Sequence, residues 1–152
     1  MRKIAIWYLG ILYLAAGCRP GNYSAPENAL FTRLTAAECG IDFRNDVTDD
    51  SLFNEASYRN FYNGGGVAIG DINNDGLPDV FMTANQGKNS LFLNKGNFKF
   101  EDISVKAGLR QDSMCSTGVT FVDINNDGWL DIYVCNSGHM NDGNRRNKLY
   151  IN

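Results

Sequence analysis

The sequence predicts an all-β fold assembled from short antiparallel repeats, and three observations predict it. The hexapeptide Asp-Ile-Asn-Asn-Asp-Gly occurs twice, at Asp71–Gly76 and Asp123–Gly128, an offset of 52 residues. Each copy lies between runs rich in β-branched and aromatic residues, Gly66–Gly70 and Val80–Ala84 around the first, Gly118–Val122 and Ile132–Cys135 around the second. A further block, Asn89–Asn94, returns as Asn147–Asn152 at an offset of 58, so the second unit carries six extra residues around Gly138–Arg146. Insertions between strands belong in loops. Internal repetition at this spacing is the first thing to explain in such a chain, because each repeat is a unit that buries its faces only by stacking on a neighbour.

Each unit reads as a strand, a carboxylate-rich loop, a second strand, a polar turn and a third strand, Ser90–Leu93 in the first copy and Lys148–Ile151 in the second. In the first copy Phe98–Ile103 alternates apolar and polar residues, the pattern of a half-buried fourth strand. Four short antiparallel strands at a period near 50 residues describe a propeller blade. Residues 61–110 form the first repeat and 111–152 the second, which stops after its third strand at Asn152. A blade and three-quarters does not close a ring of roughly four to eight blades. The expectation is therefore a fragment or a truncated product, and an in-frame continuation with further repeats is what a closed propeller requires.

Upstream of the repeats, Arg2 and Lys3 precede a run of 13 residues from Ile4 to Ala16 that lacks charge. That is too short to span a bilayer and fits the core of a signal peptide, residues 1–17. Ala15-Ala16-Gly17-Cys18 resembles the bacterial lipobox, which implies that Cys18 is lipidated and anchors the chain at a membrane surface. Residues 18–28, with Pro20, Gly21, Asn22, Ser24 and Pro26, have the composition of a flexible tether. Residues 29–60 contain two short apolar pieces, Ala29–Arg33 and Ile41–Arg44, whose structure the sequence leaves open.

Charge excludes one class of partner. With Arg2 and Lys3 removed, 12 basic residues face 17 acidic ones, a net charge of −5. A groove for nucleic acid needs clustered Lys and Arg, so no nucleic-acid partner is expected. Cys39, Cys115 and Cys135 remain beside the lipidated cysteine, an odd number. If the second loop closes a hairpin, Val122 lies opposite Ile132 and Cys135 lies near Val119. Cys115 is then about 13 Å away along the strand, beyond disulfide reach.

The loops carry the chemistry. Asp71, Asn73 and Asp75 occupy positions 1, 3 and 5, Gly76 position 6, Leu77 position 7 and Asp79 position 9; Asp123, Asn125, Asp127, Gly128, Trp129 and Asp131 repeat the pattern. Side-chain oxygens at alternate positions of a tight loop converge on one point, glycine permits the sharp turn, and position 7 offers its backbone carbonyl, a set that suits Ca²⁺ with its six to eight oxygen ligands. Two Ca²⁺ sites are expected. An EF-hand needs a glutamate at position 12 and flanking helices; here position 12 is Met82 or Val134 between strands. Asn, Asp and Gly favour turns without any metal. A bare turn, however, has no use for the aspartate retained at position 9 in both copies.

Other features read as structural. Val67, Ile69, Val80, Met82, Val119, Phe121, Ile132 and Val134 are expected in the core, and Phe92, Phe98, Phe100 and Trp129 as packing residues. Gly64-Gly65-Gly66 precedes a strand rather than a helix and is a poor phosphate cradle. The single histidine, His139, falls in the inserted loop, and no nucleophile with a base is visible. No catalytic residue is expected.

With Tyr62–Ala68 before the first loop and Ser116–Thr120 before the second, the repeats resemble the FG-GAP/VCBS repeats of bacterial surface proteins. Gly40–Asn45 and Phe98–Leu109 look like members that continue into an ASPIC/UnbV-type domain. The resemblance covers roughly residues 40–152. It implies an integrin-α-like β-propeller, Ca²⁺ held by the loop residues named above, and extracellular binding or adhesion to a protein or polysaccharide. The alternative is a non-catalytic part of a larger extracellular enzyme, such as a hydrolase, whose active site lies outside these residues.

Overall fold

The structure is a computed structural model that describes residues 26–52, 54–109, 114–137 and 145–152. The expected signal segment, Cys18 and His139 lie outside the described residues. The chain divides into two units, Met1–Arg33 and Leu34–Asn152. Within the first, a turn is closed by the Ala29 N–H donating to the Pro26 carbonyl at 3.0 Å.

The second unit opens on a four-residue helix, α1 (Ala36–Cys39), that the sequence reading did not name. Its signals are local. Thr35 accepts from the Glu38 N–H while the Glu38 side chain accepts from the Thr35 N–H, a capping box. Gly40 at φ 82° then ends the helix in the left-handed conformation that glycine adopts without strain.

Among the described residues the repeats are built from β-strands. A first sheet holds β1 (Val67–Gly70), β2 (Asp79–Met82), β3 (Ser90–Asn94) and β4 (Phe100–Asp102) in the order β1-β2-β3-β4. A second sheet holds β5 (Ser116–Val122), β6 (Asp131–Asn136) and β7 (Lys148–Tyr150) in the order β5-β6-β7. Every neighbouring pair is antiparallel. These are the meandering blades that the repeat predicts. The fourth strand is shorter than expected: Asn97 and Phe98 take positive φ of 52° and 55° in the β3–β4 turn, and Phe98 is exposed rather than packed.

The hairpin register differs from the expectation by one residue. Val122 faces Asp131, Phe121 faces Ile132 and Cys135 faces Gly118. The cause is that the ninth-position aspartate belongs to the ladder and not to the loop, as it does in the first sheet, where Gly70 faces Asp79. Cys39, Cys115 and Cys135 are free thiols, and burial pushes the Cys115 thiol above its ordinary pKa.

The core lies between the two sheets. Ala68, Phe81 and Leu91 from the first sheet meet Ile132 and Val134 from the second, with Val119, Phe121 and Tyr150 packed against them. The contributing positions are not equivalent in the two repeats. At the repeat offsets, Val119, Phe121, Ile132, Val134 and Tyr150 correspond to Val67, Ile69, Val80, Met82 and Phe92, which lie on the opposite face of the first sheet. One blade thus presents its back to the next blade's front, the head-to-tail stacking of propeller blades. This corrects the expected core: Val67 and Ile69 are 57% and 68% exposed because their face looks away from the second sheet.

Close approach of the innermost strands explains the glycines before the first loop. A Cβ on Gly66 would stand 2.8 Å from Gly118 Cα, and one on Gly70 would stand 2.9 Å from Phe121 Cδ2. Two glycines from equivalent positions, Gly66 and Gly118, therefore let β1 lie against β5. The extended stretch before the repeats is tied to the β2–β3 turn. Asn45 and Asn85 exchange two hydrogen bonds of 2.8 Å, and Thr48 exchanges bonds of 2.7 and 2.9 Å with the Gln86 amide.

Candidate metal loops

Each loop is built by its own side chains. In the first, the Asp75 N–H is shared by Asp71 Oδ1 at 3.1 Å and Asn73 Oδ1 at 3.2 Å, so both oxygens gather on one nitrogen. Gly76 N–H donates to Asp71 Oδ2 at 2.7 Å, and Leu77 N–H to Asp75 Oδ1 at 2.8 Å. Asn73 Nδ2 donates to Asp75 Oδ2 at 2.9 Å, which draws the position-3 and position-5 side chains together. The curl requires left-handed backbone at two residues, Asn74 at φ 57° and Gly76 at φ 85°. Asparagine and glycine are the residues that adopt it most readily.

The second loop repeats this arrangement bond for bond. Asp127 N–H is shared by Asp123 Oδ1 at 3.0 Å and Asn125 Oδ1 at 3.2 Å, and Gly128 N–H donates to Asp123 Oδ2 at 2.9 Å. Trp129 N–H donates to Asp127 Oδ1 at 2.9 Å, and Asn125 Nδ2 to Asp127 Oδ2 at 2.7 Å. Asn126 and Gly128 take φ of 59° and 88°.

Position 9 has a task that the sequence reading missed. Asp79 is completely buried; its Oδ2 accepts from the Ile72 N–H at 3.0 Å and its Oδ1 from the Asn94 N–H at 2.7 Å. Asp131, also completely buried, accepts from the Ile124 N–H at 3.1 Å and the Asn152 N–H at 2.9 Å. One carboxylate thus ties the loop's entry to the third strand. The tie uses the backbone N–H of Asn94 and Asn152, which any residue but proline supplies, so no residue type in the sequence signals it. Burial pushes the Asp79 carboxyl above the usual carboxylate range; its two N–H bonds pull it down, and the negative charges of Asp75 and Asp71 push it up again.

The donor set is all oxygen: two carboxylates, an asparagine amide, the position-7 carbonyl and the buried aspartate. That is a hard-cation set and fits calcium by its chemistry. Among the described residues no three His, Cys, Asp or Glu side chains form a metal-holding group by themselves. The loop carboxylates instead spend their oxygens on backbone N–H groups, and the asparagine and carbonyl donors fall outside such a grouping. Among the described residues no helix is long and apolar enough to cross a membrane.

A stacked pair of antiparallel blades, each opened by an Asp-x-Asn-x-Asp-Gly loop, defines a β-propeller-type repeat protein. Residues 71–134, a stretch that spans both loops, match the model of the FG-GAP-like repeat. Among curated proteins the chain is similar to cartilage acidic protein 1 of Xenopus tropicalis, 40% identical over 74 residues, 48% of this chain and 11% of that one. It is 36% identical over 78 residues to cartilage acidic protein 1 of Mus musculus, 51% of this chain and 12% of that one. It is 35% identical over 83 residues to integrin alpha-PS5 of Drosophila melanogaster, 48% of this chain and 8% of that one. The matched segment spans about a tenth of the length of these relatives.

Proposed function

We propose that this chain is a calcium-stabilised, non-catalytic β-propeller repeat module of a bacterial cell-surface lipoprotein that binds an extracellular protein or polysaccharide. The observation that carries this reading is the near-identity of the two loops: the same five hydrogen bonds and the same pair of left-handed residues, built from oxygen donors alone. A Ca²⁺ ion would be held by Asp71, Asn73, Asp75, the Leu77 carbonyl and Asp79, and a second by Asp123, Asn125, Asp127, the Trp129 carbonyl and Asp131. Bound there, a divalent cation supplies positive charge where three aspartates per loop repel one another. Burial is what chiefly raises the Asp79 carboxyl, and the negative charges of Asp75 and Asp71 that add to it favour such a charge. The protein's part is to gather these oxygens within one short turn.

The FG-GAP-like match and the similarity to an integrin alpha chain support a binding module. The stretches Gly40–Asn45 and Phe98–Leu109 further suggest the ASPIC/UnbV-associated type. Isothermal calorimetry of the metal-free chain is expected to give two equivalents of Ca²⁺ with dissociation constants of about 10⁻⁴–10⁻³ M, the range of extracellular modules, and weaker Mg²⁺ binding. Absence of calcium heat would overturn the reading. Retention on arrays of polysaccharides and extracellular proteins should then depend on calcium.

Export and anchoring belong to the same proposal. The lipobox resemblance places a thioether-linked lipid on Cys18, with residues 18–28 as the tether at the outer membrane or cell surface. Metabolic labelling with a radioactive fatty acid is expected to mark the chain and to fail for Cys18→Ser. Labelling of neither chain would leave simple secretion as the route, and equal labelling of both would place the lipid on a residue other than Cys18.

A further inference from the structure

The two loops are not independent turns. Asn74, the fourth residue of the first loop, donates from its amide to the Gly128 carbonyl of the second at 3.2 Å. Gly128 stands between Asp127 and Trp129, and Asn74 stands between Asn73 and Asp75, so one hydrogen bond joins two residues that are each flanked by candidate ligands. A second tie runs through Asn152. Its amide donates to the Ile72 carbonyl of the first loop at 2.6 Å and to the Leu130 carbonyl of the second at 3.3 Å. The equivalent residue of the first repeat, Asn94, donates to Pro78 of its own loop at 2.9 Å.

We infer that the two loops are coupled binding sites: filling the first raises the cation affinity of the second, and the Asn74 amide transmits the effect. This rests on the calcium reading above. Ordering Asn73 and Asp75 around a cation fixes the backbone of Asn74 between them. The fixed amide then holds Gly128, and with it the orientation of Asp127 and of the Trp129 carbonyl. A second cation would meet a loop whose ordering cost has been reduced, which is positive coupling without a large structural change.

Electrostatics alone predicts the opposite sign. A filled first loop is less negative than an empty one, so it attracts a cation to its neighbour less strongly. That term is screened over about 8 Å at physiological ionic strength. The direction of the coupling therefore separates the hydrogen-bonded tie from the charge effect.

Trp129 reports on the second loop from within it, and the other tryptophan, Trp7, can be removed as Trp7→Phe. In that background the full chain is titrated with CaCl₂ and Trp129 emission is followed. Asp75→Ala removes a ligand from the first loop only. It is expected to raise the half-saturation concentration of the Trp129 signal about fivefold, at the lower end of common coupling strengths. Asn74→Gly keeps the left-handed backbone and removes the amide. In the Asn74→Gly chain the rise on Asp75→Ala is expected to be clearly smaller, with only the Asn152 tie left between the loops, which closes a double-mutant cycle. An unchanged or lowered half-saturation for Asp75→Ala in the Asn74 chain would overturn the coupling while leaving calcium binding intact. So would equal shifts in both backgrounds. A chain with no calcium-dependent emission and no calcium heat would overturn the calcium reading itself. Circular-dichroism melts in chelator verify that each variant is folded before titration.

Discussion

Asp75→Ala and Asp127→Ala are each expected to lower the melting temperature by on the order of 10 °C in saturating calcium and to change it little in chelator. The calcium-dependent part follows from mass action. An ion that binds only the folded chain at about a hundred times its dissociation constant adds about 2.7 kcal/mol per site, and that is lost when the site is removed. The calcium-independent part follows from exposure. Asp75 and Asp127 lie on the surface, where a substitution away from special backbone usually changes stability by about 0.5 kcal/mol or less. Their backbone stays in place, and the bonds lost, to Leu77 or Trp129 N–H and to the Asn73 or Asn125 amide, are ones that water can replace. Scanning calorimetry of the wild type and both variants, with and without calcium, checks this. Equal losses in the two conditions would show that these carboxylates are turn residues only.

The repeat arithmetic explains why so much of the architecture was legible. An offset of 52 that places identical loops between β-branched runs leaves few alternatives to stacked hairpins, and the seven strands of the described residues fall where the two aligned blocks and the alternation at Phe98–Ile103 put them. What was not legible followed from contacts between repeats. Strand alternation divides Val67 and Ile69 from Ala68 but does not say which side the neighbouring blade covers. The structure covers the Ala68 side, because Gly66 and Gly70 there leave room for Gly118 and Phe121. The one-residue error in register has a similar origin. In the sequence the carboxylate makes Asp131 read as loop, whereas its backbone pairs with Val122 and its side chain is buried. The helix at Ala36–Cys39 was within reach, since Thr35 and Glu38 form a capping box closed by Gly40. The candidate ligands at positions 1, 3 and 5 were legible because they lie within five residues of one another. The bond from Asn74 to Gly128 spans 54 residues, and no local pattern encodes it.

Asp79→Ala separates the two roles of the ninth position, and its expected effect is the larger in the absence of metal. Both carboxylate oxygens accept a backbone N–H in a site without solvent contact. Removing the carboxylate leaves the N–H groups of Ile72 and Asn94 buried and unpaired, at about 1–3 kcal/mol each. The buried carboxyl is itself held above its usual pKa range, so relief of its desolvation offsets part of that loss. The net expectation is a destabilisation of about 2–4 kcal/mol in chelator, read as a lowered denaturation midpoint with an unchanged slope in urea. Asp131→Ala should act in the same direction through Ile124 and Asn152, but by less, because those two hydrogen bonds are only partly buried. In calcium the loss grows further if the same carboxylate also faces the ion. This pattern is the reverse of that expected for Asp75→Ala, where chelator abolishes the difference. An Asp79→Ala chain as stable as the wild type in chelator would show that the two N–H bonds add nothing, and that the aspartate is retained at position 9 for the ion alone. A loss in chelator that calcium does not enlarge would assign the residue to the scaffold, leaving Asp71, Asn73, Asp75 and the Leu77 carbonyl as the ligands.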